Sequence, residues 1–350
     1  MSPAPGTSAA GGSVPVIGVD AMGGDYGPPV VVPGVVMALT EFAGRFKVVL
    51  LGDLEEVRYE LSKLKVPDLA IELVHAPERV EMDEPAATVL RRKPNSSLAI
   101  ATQLQKERKI DAFFSAGSTG AVVAVSLLGL GRLERVSRPA IATIFPNRGK
   151  GCVVLDVGAT ADCKPQHLVQ FGEMGSCYAH DVLGLPEPRV GLLSIGEEPG
   201  KGDELRQETH KLLAEMTHLN FIGNVEGRDI LRGEVDVVVT DGFTGNVVLK
   251  LAESVVGYIA TSFRREVGRS LQSKLGALLL KPAFVRLRSQ FDYAEFGGAP
   301  LLGVDGVIFI GHGRSSPRAI RSGLRASATF VERQVNLHIQ DLLRLNHAES

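Results

Sequence analysis

Lys164 stands directly before Pro165 in the run Gly158-Ala159-Thr160-Ala161-Asp162-Cys163-Lys164-Pro165, and this order is a specific chemical signal. Proline is at ease in the first turn of a helix, so Pro165 marks a helix start. A lysine just ahead of that start opposes the helix macrodipole, which is costly unless an anion joins the two positive elements. Asp162 either orients Lys164 or acts as an ordinary helix cap. Four more polar, glycine-rich corners each close an apolar run: Asp20 to Asp25, with Gly23 and Gly24; Ser115 to Gly120; Ile195 to Gly202; and Thr240 to Asn246. In a parallel α/β sheet such corners gather at the carboxyl ends of the strands, where helix amino termini offer unpaired N–H groups. The pattern predicts a phosphate-handling enzyme.

The corners differ in what they offer. In Ser115-Ala116-Gly117-Ser118-Thr119-Gly120 small residues let the backbone wrap an anion, and Ser118 and Thr119 add hydroxyl donors. It lacks the lysine of an ATP loop, and alone it also reads as a tight turn. Asp241-Gly242-Phe243-Thr244-Gly245-Asn246 leads into a helix. Asn246, placed in its first turn, either donates to a carbonyl oxygen becoming an oxyanion or is a plain turn residue. Lys201 lies in a charged loop with Glu197 and Glu198, which lack the further ligands of a metal site, so no metal is expected. His312, read as opening the last helix, is an acid–base candidate or a structural histidine. The chain has no GxSxG elbow, no HExxH and no full GxGxxG after its first strand, which counts against a serine hydrolase, a zinc protease and a dinucleotide enzyme.

The elements that position these corners alternate. Short runs rich in Val, Ile and Phe predict buried strands at Val14 to Asp20, Phe46 to Leu51, Ala70 to His75, Asp111 to Ser115 and Ala140 to Phe145. Five more follow at Cys152 to Val157, Arg189 to Ile195, Leu219 to Ile222, Val235 to Thr240 and Val304 to Ile310. Ile320, Leu324, Ala328, Val331, Val335, Ile339 and Leu342 form one apolar stripe, read as a single closing helix. Residues 1–13 are uncharged, with Gly, Ala, Ser and Pro beside only Met1 and Thr7, and read as a disordered leader. Residues 14–348 read as one continuous α/β catalytic domain, with two lobes as a variant.

At 350 residues and 44% hydrophobic content the chain can bury a large core. A net charge of -2 gives no global field for nucleic acid. The three cysteines, an odd number with no secretory leader, suit free thiols in a cytoplasm. No apolar run is long enough to span a bilayer. Residues 264–291 stand apart, with Arg264, Arg265, Arg269, Lys274, Lys281, Arg286 and Arg288 against the single acid Glu266. Leu278, Leu279 and Leu280 sit among them, and Pro282 predicts a break. Two short amphipathic helices meeting at this leucine-rich tip would lie on an anionic membrane surface, receive an acidic carrier protein, or pack in a dimer.

Several stretches together resemble the bacterial phosphate acyltransferases of phospholipid synthesis. They are Val16 to Pro28, Arg91 to Ser97, Ser115 to Ala121, Gly158 to Pro165, Val190 to Gly202, Phe221 to Ile230, Thr240 to Lys250 and Tyr293 to Gly306. Ser118 and Thr160 depart from the asparagines usual in two of these phrases, and both keep a hydrogen-bonding side chain. The resemblance implies transfer of a long-chain acyl group from acyl carrier protein to inorganic phosphate, with no organic cofactor. It also implies a homodimer with a Rossmann-like three-layer fold like the isocitrate and isopropylmalate dehydrogenases. It further implies a peripheral place at the inner membrane face and a downstream glycerol-3-phosphate acyltransferase. On this reading Lys164 and the Ser118, Thr119 and Gly120 turn hold phosphate while Asn246 supports the carbonyl. Asp20, Gly23, Gly24, Asp162, Lys201, Asp241, Thr244 and His312 complete the substrate-binding set. A nicotinamide dehydrogenase of similar architecture and a non-catalytic membrane scaffold are the competing readings.

Overall fold

The apolar runs form the strands of two sheets in a computed structural model that describes residues 13–64, 69–81, 84, 88–291 and 297–346. Almost all of the expected leader, Tyr293 to Phe296 of one family phrase, and residues 347–348 lie outside the described residues. In chain order the first elements are β1 (Val16–Asp20), α1 (Pro28–Glu41), β2 (Lys47–Gly52), α2 (Leu54–Ser62), β3 (Ile71–His75), α3 (Val89–Arg92) and α4 (Ser97–Lys106). Then come β4 (Ala112–Ser115), α5 (Thr119–Gly129), β5 (Ala140–Ile141), β6 (Thr143–Phe145), β7 (Cys152–Leu155), α6 (Pro165–Leu183), β8 (Val190–Leu193) and α7 (Glu204–Glu215). The last are β9 (Phe221–Val225), β10 (Val237–Val239), α8 (Gly242–Gly268), α9 (Leu271–Phe291), β11 (Ala299–Leu302), β12 (Val307–Ile310), α10 (Pro317–Glu332) and α11 (Val335–Asn346).

One sheet runs β3-β2-β1-β4-β12-β11-β5 and the other β6-β7-β10-β8-β9. Pairings are parallel except around β11 and between β6 and β7. Helices cover these sheets, so the central strands carry no polar alternation: β4, β7, β8 and β10 are buried at every position. The core is shared between the sheets. Val19 of β1 and Leu155 of β7 belong to one buried cluster with Leu324, and Phe113 of β4 joins Val154 and Val238 in another.

Three sequence expectations change. The run Ala140 to Phe145 is not one strand, because β5 and β6 are separated by the fully buried Ala142 and belong to different sheets. Strand β11 adds to the expected strands, and its four residues with Pro300 among them carry little strand signal. The closing stripe is carried by two helices, with Gln334 between them at φ 54°, a left-handed turn that no glycine announces. Both helices still turn the stripe inward: Ile320, Leu324, Ala328, Val335 and Ile339 are buried.

The basic segment differs as well. α9 runs through Pro282 without a break, and the chain turns at Arg269 and Ser270. Leu278, Leu279 and Leu280 therefore lie in mid-helix, not at a tip. An interior proline removes one backbone bond to the preceding turn, and Leu278, whose carbonyl loses its partner, is exposed and can be hydrated.

Candidate active site

At the carboxyl end of the seven-stranded sheet the first two corners are built on Asp20. Its carboxylate is buried at the end of β1 and accepts from Ser97 Oγ at 2.6 Å, Ser115 Oγ at 2.7 Å and the Met22 amide at 3.0 Å. Burial raises its pKa, against the lowering effect of the two serines and the Met22 and Gly23 amides. A Cβ on Gly23 would stand 2.5 Å from Asp20 Oδ2, so this turn requires glycine. Gly24 and Asp25 reach the turn after β12, where the Asp25 amide donates to the Gly313 carbonyl at 2.8 Å. Ser118, half-buried, occupies the N-cap position of α5 without a side-chain capping bond, while Thr119 and Gly120 are exposed with no described atom within 4 Å of the place of a Gly120 side chain.

At the carboxyl end of the five-stranded sheet two other corners are fastened together. Asp156, fully buried after β7, accepts from the amides of Ile141 at 2.9 Å, Gly158 at 3.0 Å, Ala159 at 2.9 Å and Thr160 at 2.6 Å. Burial raises its pKa against these donors. Gly242 packs on it so closely that a Cβ would lie 2.5 Å from Asp156 Oδ2, and one on Gly245 would overlap the Asp156 carbonyl oxygen. The Gly242 amide donates to the Thr160 carbonyl at 2.9 Å. Asp241 caps α8 through the Thr244 amide at 2.9 Å and also receives the Thr244 hydroxyl at 2.8 Å. Arg206 of α7 pairs with Asp241 and donates to Thr244 Oγ1 at 3.2 Å. Burial pushes the Asp241 carboxyl up, but Thr244 and Arg206 outweigh it and leave the pKa lowered. Asn246 is exposed, one turn into α8, and faces Gly158: a Cβ there would stand 3.8 Å from Asn246 Oδ1.

Two connections join these groups. Asp156 of one sheet holds the amide of Ile141 in β5 of the other, and Thr160 Oγ1 donates to the Pro139 carbonyl at 3.1 Å. α8, capped by Asp241, carries Glu253 to within 3.7 Å of His312 Nε2 beyond β12. His312, through its hydrogen bond, is the main cause of the lowered Glu253 pKa. His312 does not open the last helix, since Ser316 caps α10 and Pro317 begins it; the His312 Nδ1 accepts the Arg314 amide at 3.1 Å.

Lys164 occupies the cap position of α6, where its own amide donates to His167 Nδ1 at 3.1 Å. Among the described residues its ammonium forms no ion pair. It lines a cleft of about 1000 Å³ together with Arg132, Arg135, Arg138 and His167. Burial first, then the charges of Arg138 and Lys164, hold the His167 pKa down. Asp162 is exposed and makes no hydrogen bond among the described residues, so it neither caps α6 nor orients Lys164. Lys201 is exposed on a loop that is tied back by Asn224 and Gln207, and no hydrogen bond or ion pair among the described residues joins it to the other corners. None joins Lys164 to Ser118 or Thr119 either. Arg264, Arg265, Lys274, Leu278, Leu279, Leu280 and Lys281 are all exposed on α8 and α9. Burial and the Asp156 charge push the Cys163 thiol up to about 12, so this corner offers no thiolate nucleophile. Sequence reasoning missed Arg206, Ser97 and the three arginines. Arg206 had no signal, because it follows Asp203 as an ordinary surface pair in an amphipathic helix.

Two largely parallel sheets with polar corners at their carboxyl ends make up a mixed α/β fold that solved phosphotransacylases share. A phosphotransacetylase from Streptococcus pyogenes superposes with a TM-score of 0.62 at 17% identity, covering 91% of this chain and 94% of that one. A phosphotransacetylase from Staphylococcus aureus gives 0.57 at 18% identity, covering 92% and 94%. The family described as fatty acid synthesis protein matches residues 16–338, and the chain belongs to it. A phosphate acyltransferase of Nitratidesulfovibrio vulgaris (strain DP4) is 46% identical over 331 residues, 95% of each chain. One from Aquifex aeolicus (strain VF5) is 47% identical over 321 residues, 91% of this chain and 94% of that one.

Proposed function

We propose that this protein transfers a long-chain fatty acyl group from the thioester of acyl carrier protein to inorganic phosphate, giving acyl phosphate and the free carrier thiol. It is an acyltransferase of lipid synthesis, as its family and the relatives it matches over nearly their whole length have it. The observation that carries the finer reading is the union of the Asp156 to Lys164 corner with the Thr240 to Asn246 corner around Asp156. It sets the Asn246 amide beside a tight glycine turn, with a lysine that has no ion-pair partner among the described residues at the next helix start.

In the reaction a phosphate oxygen attacks the thioester carbonyl carbon. The new C–O bond forms as the carbonyl oxygen takes negative charge, and the C–S bond then breaks, with the electron pair leaving on sulfur and a proton completing the thiol. Phosphate is itself the nucleophile, so the protein supplies no covalent intermediate, in keeping with the protonated Cys163. Lys164 and the Ser118, Thr119 and Gly120 turn hold the phosphate, and Asn246 donates to the developing oxyanion. An anion bridging corners of both sheets gives Lys164 a counter-charge that no ion pair among the described residues provides. Asp20 shapes the first turn, Asp241 and Thr244 fix the start of α8, His312 meets α8 at Glu253, and Lys201 is an anion-binding candidate on its own loop.

The enzyme works as a homodimer at the inner membrane face and passes its product to a glycerol-3-phosphate acyltransferase. Among the described residues no helix is long and apolar enough to cross a membrane. The exposed bases and leucines of α8 and α9 support attachment to an anionic surface instead. The likeness to the isocitrate and isopropylmalate dehydrogenases and the three-layer description belong to the same reading. A thiol-release assay with acyl carrier protein thioester, run with and without inorganic phosphate, tests the reaction. Release only with phosphate is expected, and equal release without it would make the protein a thioesterase.

A further inference from the structure

The cleft beside Lys164 has a cationic wall with no acidic residue among the described residues that line it. Arg132, Arg135 and Arg138 line it with Lys164 and His167, and apolar side chains fill the spaces between them. Those described lining residues are cationic, apolar, glycine, serine and histidine. Glu134, the one acid within the arginine-bearing segment, pairs instead with Arg344 at 3.0 Å.

The segment is also held in shape. Buried Gln170 of α6 donates to the Arg135 carbonyl at 2.8 Å and accepts from the Ser137 amide at 2.9 Å. The Leu133 amide donates to the Gly303 carbonyl at 3.0 Å. Arg132 and Arg135 are spent in part on the Ser137 and Arg344 carbonyls, at 2.5 and 3.3 Å. The Arg138 guanidinium makes no hydrogen bond among the described residues. Like charges gathered on a fixed wall cost free energy unless an anion enters, and a fixed wall recognises that anion without an ordering cost.

We propose that this cleft receives the phosphate-linked prosthetic arm of the acyl carrier protein, its phosphodiester on Arg135 and Arg138 and its thioester directed toward Lys164. The inference rests on the carrier-thioester reading above. Three features select this occupant. The charge is complementary to a phosphodiester. A volume of about 1000 Å³ suits an elongated arm more than a bare inorganic ion. Lys164 belongs both to the cleft wall and to the corner where phosphate is held, so an arm lying along the arginines ends at the reacting groups. A bilayer surface cannot follow a concave wall, and the exposed bases of α8 remain for it. Carrier docking is thereby separated from the basic helices.

Fluorescence anisotropy with labelled, unacylated acyl carrier protein tests this on the full-length protein. The carrier bearing its arm should bind roughly tenfold more tightly than the form lacking it, and R135E/R138E should remove that preference and most of its salt dependence. Arg138→Gln, which breaks no protein hydrogen bond, should weaken binding by about threefold if the double variant fails to fold. The inference is overturned if a folded R135E/R138E or R138Q variant binds like wild type, if the arm makes no difference, or if R264E/R265E on α8 removes the binding instead. The reaction assignment is judged separately, by phosphate-dependent thiol release from acyl-pantetheine with the wild-type enzyme, a donor with neither protein nor phosphodiester.

Discussion

The carboxylate of Asp156 accepts the amide proton of Ile141 at 2.9 Å, and with it ties the end of β7 in one sheet to β5 in the other. The same carboxylate holds the amides of Gly158, Ala159 and Thr160. Replacing it with alanine strands four backbone donors, that of Ile141 buried and those of Ala159 and Thr160 half-buried. Asp156→Ala should lower unfolding free energy by about 3 kcal/mol or more and abolish turnover, whereas Asp156→Asn, which keeps one acceptor oxygen, should lose less. Urea denaturation of the three proteins measures the difference; equal stability of wild type and D156A would remove Asp156 from this role.

Asp20 and Asp241 predict opposite pH behaviour. The Asp20 pKa is raised above 3.8, so its contribution favours the fold below that value and is lost as pH rises through the folded pKa. The Asp241 pKa is lowered, so its contribution is present above 3.8 and is lost as pH falls through the folded pKa. Relative to wild type, Asp20→Asn should therefore gain stability as pH rises above 3.8, and Asp241→Asn should converge on wild type as pH falls. Denaturation curves at a series of acid pH values read both slopes.

Arg206 acts on the site through Asp241 and Thr244, and is nearly buried. Arg206→Ala leaves the Asp241 carboxylate without its cation and should cost about 2 kcal/mol of stability. Turnover should fall by roughly tenfold or more as the start of α8, and Asn246 with it, loosens. A variant with normal kcat would show that α8 is positioned without Arg206.

Lys164 and Asn246 are exposed and hold nothing else together, so their loss should affect rate and not folding. Lys164→Ala should abolish measurable phosphate-dependent turnover, and Asn246→Ala should reduce kcat by about a hundredfold. Thermal melts should match wild type for both. Near-normal rates in either variant would remove that residue from the mechanism.

The leucines in the middle of α9 are more than half exposed. Changing Leu278, Leu279 and Leu280 together to serine should release the protein from anionic liposomes in flotation, since the basic residues alone add only about 1 kcal/mol each near the surface. Unchanged flotation would exclude this stretch as the attachment.

Most strands were legible because continuous apolar runs admit few other structures, and the polar corners marked their carboxyl ends. What composition could not give was which corners share a sheet. That depends on Ala142, where a single residue carries the chain from one sheet to the other, and on β11, too short and proline-bearing to be read. Asp156 was visible within its corner, yet its role lies in backbone amides, one of them from Ile141 fifteen residues earlier. Arg132, Arg135 and Arg138 carry no motif of their own, and they share one wall only because the segment is folded back and pinned by Gln170 at Arg135 and Ser137. The left-handed turn at Gln334 was hidden because no glycine occupies it.

The central claim is that inorganic phosphate is the attacking group at this site. Incubating the enzyme with acyl carrier protein thioester and phosphate labelled with oxygen-18 in all positions, followed by mass spectrometry of the product, tests it directly. Acyl phosphate that retains every labelled oxygen is predicted, because the carbon attacked belongs to the thioester and no P–O bond breaks. Release of unlabelled fatty acid at the same rate with or without phosphate would contradict it.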